Sequence, residues 1–432
     1  MNMYRKALIK LAEWKSSSRR KPLILRGARQ VGKTCLMKEF GRTNYEKTFY
    51  FSFENDSELQ KIFAKNKDPY RIVSLLGTIK NDKIEKEKHL IIFDEIQECP
   101  NALNSLKYFC EDANEYHIIA AGSLLGTLLA QPMSYPVGKV NLLDVYPMDF
   151  EEFLGAVNQP LLKYLEETPP QEIISIQHTK LIEQYHDYLI VGGLPECVAS
   201  WTEEKNSGIV LQIQEELLAL YENDISKHNK KIDAGRILLV FKSLVTQLSK
   251  ENEKFIYGCV KQGARAREFE VAIEWLVRAG LVIRIYDVKK PEHPLKVFED
   301  FSSFKLFFFD VGLAKCAAQV QNKQIILDSD FQFKGALTEN YVLQQLHAYL
   351  ENDIHYYSPA QNYEVDFLLQ DEMQIIPVEC KAGTNVLSAS FKRYRREQKP
   401  ALAIRFSQLE YKEQDDMINV PLYLACRIFL KK

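Results

Sequence analysis

No CxxC pair, no histidine cluster and no apolar run long enough to cross a bilayer occurs in these 432 residues. The eight cysteines (35, 99, 110, 197, 259, 316, 380 and 426) are scattered, which argues against a zinc-binding or disulfide framework and fits a reducing cytoplasm. A helix spanning a membrane needs about 20 mostly apolar residues, and none of that length is present. The opening stretch MNMYRKALIKLAEWKSSSRRK breaks its apolar residues with charge, so a signal peptide is not expected. Excess charge of either sign is also missing: 56 Lys and Arg stand against 58 Asp and Glu, a formal net charge of −2. That balance excludes a uniformly basic, nucleic-acid-coating surface but leaves room for a local basic patch. Repeats and low-complexity tracts are absent.

What is present has the balance of a globular chain, 46% hydrophobic and 26% charged. The length suggests roughly three domains. Over the first 150 residues, short apolar runs alternate with amphipathic stretches, the pattern of an α/β domain. Strands are expected at 22–26, 48–53, 89–93 and 117–121, with another between 137 and 145. From about residue 150 the pattern becomes helical, clearest at 181–190 and 208–222, and is punctuated by Val191-Gly-Gly-Leu-Pro195. Between 230 and 290 two or three helices precede a strand at 281–288, the order of a winged helix. A second α/β unit follows, with a helix at 335–349, short strands at 364–369, 374–379 and 401–406, and a basic helix at 388–398.

The loop after the first strand carries the strongest chemical signal. Gly27, Gly32, Lys33 and Thr34 meet the spacing G-x-x-x-x-G-K-[ST]. Such a loop curls its backbone N–H groups around a β-phosphate, and the following helix N-terminus adds positive potential. Lys33 would bridge the β- and γ-phosphates, and the Thr34 hydroxyl would bind Mg²⁺. Ala28, Arg29, Gln30 and Val31 within the loop, and Cys35 after it, complete the expected nucleotide contacts. The run Leu90-Ile-Ile-Phe-Asp94-Glu95 then supplies an acid to hold magnesium, Asp94, and one to orient the attacking water, Glu95. Ser123, after the strand at 117–121, is a candidate γ-phosphate sensor or a simple turn serine. Arg26, Arg29, Arg236, Arg265 and Arg267 are all available, and none can be assigned as an arginine finger.

Taken in order, GARQVGKT (27–34), FSFEN (51–55), LIIFDEIQECP (90–100), AAGSLLG (120–126), YPMDFEEFL (146–154) and VGGLPECV (191–198) resemble a bacterial and archaeal family of AAA-like ATPases with a C-terminal domain of unknown function. The likeness covers nearly the whole chain. It implies an α/β P-loop NTPase with an AAA-type parallel sheet (1–155), a helical lid (156–228), a winged-helix segment (229–300) and a C-terminal restriction-endonuclease-like domain (301–432). It also implies ATP as the nucleotide, since no base-reading motif is evident. It supplies no pathway and no oligomeric state.

The last segment holds a second constellation: Glu339, then Glu364-Val-Asp366, then Glu379-Cys-Lys381. Strand alternation puts Glu379 and Lys381 on one face and Cys380 on the other. Asp366 and Glu379 could hold a divalent cation, with Glu339 as a further ligand. Lys381 could stabilise charge developing on a phosphate. The arrangement resembles the PD-(D/E)XK nuclease superfamily, with Val-Asp in place of Pro-Asp. Two classes of function therefore stand side by side. In one, an ATPase controls a nuclease-like, DNA-handling domain. In the other, an ATP-gated switch or scaffold uses an inactive nuclease-like domain to bind protein partners. Lys392-Arg-Tyr-Arg-Arg396 and Lys399 could meet a phosphate backbone or simply form a solvated helix face.

Overall fold

The computed structural model describes residues 3–122, 138–227, 234–250, 254–327, 330–350, 352–371, 373–414 and 416–427. The chain divides into two compact units, one of residues 2–146 with 278–280 and one of 147–277 with 281–432.

The smaller unit is built on five strands: β1 Leu23–Arg26, β2 Lys47–Ser52, β3 His89–Asp94, β4 His117–Ala121 and β5 Asn141–Asp144. Their order is β2-β3-β4-β1-β5, and every pairing is parallel. All of β4, and β3 beyond His89, is buried, as a parallel sheet covered on both faces requires. On β2, alternation sends Phe49 and Phe51 into a core with Phe53, Phe63 and Phe93, while Tyr50 and Ser52 remain half-buried on the opposite face. The rings of Phe53, Phe63 and Phe93 meet edge to face with centroids 5.4 to 5.6 Å apart, an arrangement that adds to simple burial. The sequence marked these five strands to within a few residues.

The larger unit holds one eight-stranded sheet in the order β12-β13-β11-β10-β9-β8-β6-β7. Its strands are β6 Val282–Val288, β7 Glu299–Phe308, β8 His355–Ala360, β9 Tyr363–Asp371, β10 Gln374–Cys380, β11 Ile404–Ser407, β12 Lys412–Gln414 and β13 Met417–Pro421. Helices Ala234–Leu248, Tyr257–Val260 and Ala266–Arg278 do precede β6. β6, however, pairs antiparallel with β7 and parallel with β8, so it joins the terminal strands in one sheet. Of the segment boundaries expected from sequence, 155/156 lies inside the helix Phe150–Val157 and 300/301 lies inside β7.

Just past β7, a buried carboxylate links the helical region to the rest of this unit. Asp310 is 1% exposed. It accepts hydrogen bonds from Gly193 N (2.7 Å), Leu313 N (3.0 Å) and Gln344 Nε2 (3.3 Å). It therefore ties the Gly-Gly loop to the helix Val311–Ala317 and to the helix Lys334–His347. Gly193 must be glycine, because a Cβ there would lie 2.1 Å from Met148 O. Around it, Gln344 Nε2 also donates to Tyr188 Oη (3.0 Å), and Gln345 accepts from Phe150 N (2.8 Å). Burial pushes Asp310 up to about 6, and these donors oppose the shift. Replacing Asp310 with Ala would strand buried N–H groups, and we expect the larger unit to lose about 3–5 kcal/mol by urea denaturation.

Nearby, Lys315 is 1% exposed and its Nζ has no hydrogen-bond partner among the described residues. Burial lowers its pKa against the opposing influence of Cys316, Cys197 and Glu215. Lys315→Met keeps the apolar stem and removes the amine. It should stabilise the unit by about 1–3 kcal/mol, seen as a higher urea midpoint at unchanged slope.

Candidate functional site

In the smaller unit the motif residues gather at the carboxyl ends of β1 and β3, where ligands bind in open parallel sheets. β4 lies between those two strands, so the loop after β1 and the acids ending β3 converge across it. The loop turns sharply at Gly27, whose φ is +139° and where a Cβ would sit 2.2 Å from Val145 O. Gly32, at φ +90°, begins the helix Lys33–Asn44 and has no side chain to cap it, leaving that N-terminus suited to an anion. Arg5 secures the loop from outside: its guanidinium is buried and donates to Val31 O (2.9 Å) and Tyr146 O (2.7 Å).

Lys33 Nζ donates to Gly27 O (3.0 Å) and Ala28 O (2.7 Å), so the lysine lies back along its own loop. Burial lowers its pKa to about 8, while Glu95 and Asp94 pull it upward. Thr34 Oγ1 donates to Asp94 Oδ2 at 2.7 Å, and Tyr50 Oη donates to the same oxygen at 2.9 Å. Asp94 Oδ1 accepts from Glu95 N at 3.1 Å. Glu95 has a left-handed backbone, φ +49°, and Gln97 Nε2 holds its carboxylate at 2.5 Å. A strained conformation at the second acid is the kind of cost seen at functional sites. Thr34 and Asp94 offer hard oxygen donors within contact of each other, a set that suits Mg²⁺.

Arg26 is committed elsewhere, in a two-pronged ion pair with Asp144 at 2.9 and 2.6 Å. Ser123 lies outside the described residues. Sequence reasoning passed over Tyr50 and Arg5. The signal for Tyr50 was its place on the half-buried face of FYFSF, one residue on either side of inward phenylalanines.

The second constellation is also brought together, within the larger unit. β9 and β10 run antiparallel with Phe367 opposite Val378, and the same register continued by one step puts Asp366 opposite Glu379. Asp366 Oδ2 accepts from Cys380 N at 2.6 Å. Burial, then the charges of Glu379 and Glu339, holds the Asp366 carboxyl well above its usual range. Glu379 is 3% exposed and pairs with Lys381 at 2.6 Å. Burial works against the Lys381 charge, but Glu379, with Asp366 and Cys380, outweighs it and raises the lysine's pKa. Lys305 on β7, fully buried, pairs with Glu364 at 2.5 Å and adds positive charge facing Asp366. The sequence reading did not include it.

Among the described residues, the group of three potential ligand atoms that lie within 4.8 Å of one another is Asp149, Glu151 and Cys426, not Asp366, Glu379 and Glu339. Asp149 caps a helix through Glu152 N, and Glu151 pairs with Arg427, so that group is accounted for structurally. In the basic helix Ala389–Gln398, Arg393 pairs with Glu397 and Arg395 with Asp416, which ties up two of the expected phosphate contacts.

Three family models match the chain: an AAA domain over residues 19–154, and domains of unknown function, DUF8612 and DUF4143, over 182–324 and 334–424. The first of these covers all five strands of the smaller unit and both of its motifs. Residues 19–154 form an AAA-like P-loop domain. An uncharacterised protein of Methanocaldococcus jannaschii is 21% identical over 360 residues, covering 81% of this chain and 72% of the relative. A Walker-type ATPase of Pyrococcus abyssi aligns at 14% identity with a TM-score of 0.44, covering 73% of this chain and 96% of that one. The ORC1 protein of Aeropyrum pernix, solved in complex with DNA, aligns at 14% identity and 0.30, covering 74% and 93%. At such scores the structural likenesses support no functional inference. No helix among the described residues is long and apolar enough to cross a membrane.

The loop is sensitive to a single methyl group. Gly27→Ala sets a Cβ against Val145 O in a backbone conformation that alanine rarely adopts. We expect nucleotide binding, followed with a fluorescent ATP analogue, to fall by at least tenfold, with a lower melting temperature for the smaller unit.

Proposed function

We propose that this protein binds and hydrolyses ATP with Mg²⁺, and that its nucleotide state controls a nuclease-like, DNA-handling larger unit. The observation that carries the ATPase part is the 2.7 Å bond between Thr34 and Asp94, with Lys33 in the same loop. Magnesium held by Thr34 and Asp94 would neutralise charge on the phosphates. The loop N–H groups and Lys33 bind the β- and γ-phosphates, and Lys33 exchanges the Gly27 and Ala28 carbonyls for phosphate oxygens. Glu95, held by Gln97, orients the attacking water. The restriction-endonuclease-like reading of the terminal strands is supported by Asp366 and Glu379 on neighbouring antiparallel strands, with Lys381 paired to Glu379.

A second reading, an ATP-gated switch or scaffold for protein partners, is favoured by the same pairings. Asp366 is already bonded to Cys380 N, Glu379 to Lys381, and two arginines of the basic helix are in ion pairs. Two assays separate these. ATP binding and turnover should be lost in Lys33→Ala, while Glu95→Gln should keep binding and lose turnover by roughly 100-fold or more. Absence of Mg-ATP binding at micromolar concentration by wild type would sink the ATPase reading. Cleavage of plasmid or single-stranded DNA with Mg²⁺ or Mn²⁺, responsive to ATP and absent in Asp366→Ala, would establish the nuclease. ATP turnover with no cleavage above the mutant background would favour the switch.

A further inference from the structure

We propose that Tyr50 is a positioning residue of the metal-nucleotide site, holding Asp94 in place independently of Thr34; this rests on the ATPase reading above. Tyr50 is fixed by its strand. β2 pairs in register with β3, Tyr50 beside Ile92 and Ser52 beside Asp94, so the phenol reaches forward along the sheet to the end of β3. On this face Lys38 Nζ, from the helix that follows the phosphate loop, lies 4.0 Å from the centre of the Tyr50 ring. The ring therefore packs between the sheet and that helix while its hydroxyl meets Asp94 Oδ2 at 2.9 Å.

The geometry gives the two hydroxyls on Asp94 Oδ2 different duties. Thr34 belongs to the phosphate loop; its hydroxyl gives its proton to Asp94 Oδ2 and keeps lone pairs that a cation would recruit. Tyr50 belongs to the sheet and has no such second role. Tyr50 Oη and Glu95 N hold the Asp94 carboxylate from outside the phosphate loop. A phenol so placed donates from a position fixed by its strand. Without it, the carboxylate would have to be ordered when the cation binds, and that ordering would weaken the site.

The test follows binding of a fluorescent ATP analogue to the full-length protein as Mg²⁺ is titrated, with an EDTA baseline, in wild type, Tyr50→Phe, Asp94→Ala and the double variant. One hydrogen bond to a charged group corresponds to roughly a tenfold change in affinity. Tyr50→Phe should therefore raise the Mg²⁺ midpoint about tenfold, while metal-free analogue binding and melting temperature stay as in wild type. In the Asp94→Ala background the same change should have no further effect on the midpoint. An unaltered midpoint in Tyr50→Phe would overturn the proposal. So would a parallel loss of melting temperature and metal-free binding, or an equal effect with Asp94 absent, since each would mark ordinary packing. Failure of wild type to bind the analogue under any condition would instead bring down the ATPase reading on which the proposal depends.

Discussion

The larger unit is organised around the Asp310 carboxylate. Chain segments more than a hundred residues apart, the Gly-Gly loop near 193 and the helix starting at 311, enter the interior with N–H groups that no strand or helix satisfies. Buried backbone donors must be paired, and an unpaired one costs about as much as a lost hydrogen bond. A carboxylate has lone pairs enough for several such donors, and it can be buried only because they surround it. That exchange makes the helices between 150 and 227 and the terminal sheet one folding unit. It also gives VGGLP a packing role: Gly193 permits close approach to Met148, and its N–H meets Asp310.

The smaller unit solves the same problem with a different geometry. Parallel strands end on one side, and the loops leaving them converge there with unsatisfied polar groups. The phosphate loop is stabilised from without by Arg5 on Val31 and from within by Lys33 on Gly27 and Ala28. The second of these pairings is exchangeable, because an amine that bonds two carbonyls loses little by moving to phosphate oxygens. A loop arranged this way holds its shape without ligand.

Much of this was readable in the sequence, for identifiable reasons. β1 and β3 announce themselves because buried parallel strands are continuously apolar and each ends in a motif whose spacing is chemically constrained. β9 and β10 were legible as short strands at 364–369 and 374–379, with alternation putting Glu379 and Lys381 on one face; their antiparallel pairing was not. What escaped was whatever depends on distant partners. β8, His355–Ala360, reads as an unremarkable HYYSPA, and its membership in the sheet comes from Leu368 and Val365 opposite it. β6 followed a helix in winged-helix order, and only its pairing with β8 shows which sheet it enters. Tyr50, Arg5 and Lys305 act on residues 44, 141 and 59 positions away, separations over which no local pattern operates.

The two acid sites differ in what a cation would have to displace. At Asp94 the partners are neutral donors, the Thr34 and Tyr50 hydroxyls and Glu95 N, so nothing charged would have to leave. At Glu379 the partner is the Lys381 ammonium, 2.6 Å away in surroundings where the carboxylate is 3% exposed. Separating that pair without replacing both halves would leave a buried charge uncompensated, at a cost of about 3–5 kcal/mol. A divalent cation would restore the balance on the Glu379 side, and the partly exposed Lys381 ammonium would be left to water or to a new anion. A phosphodiester supplies one. On the nuclease-like reading, metal and phosphate would be coupled at the second site by electrostatics, each making room for the other. At the first site a metal would meet a carboxylate held by neutral donors.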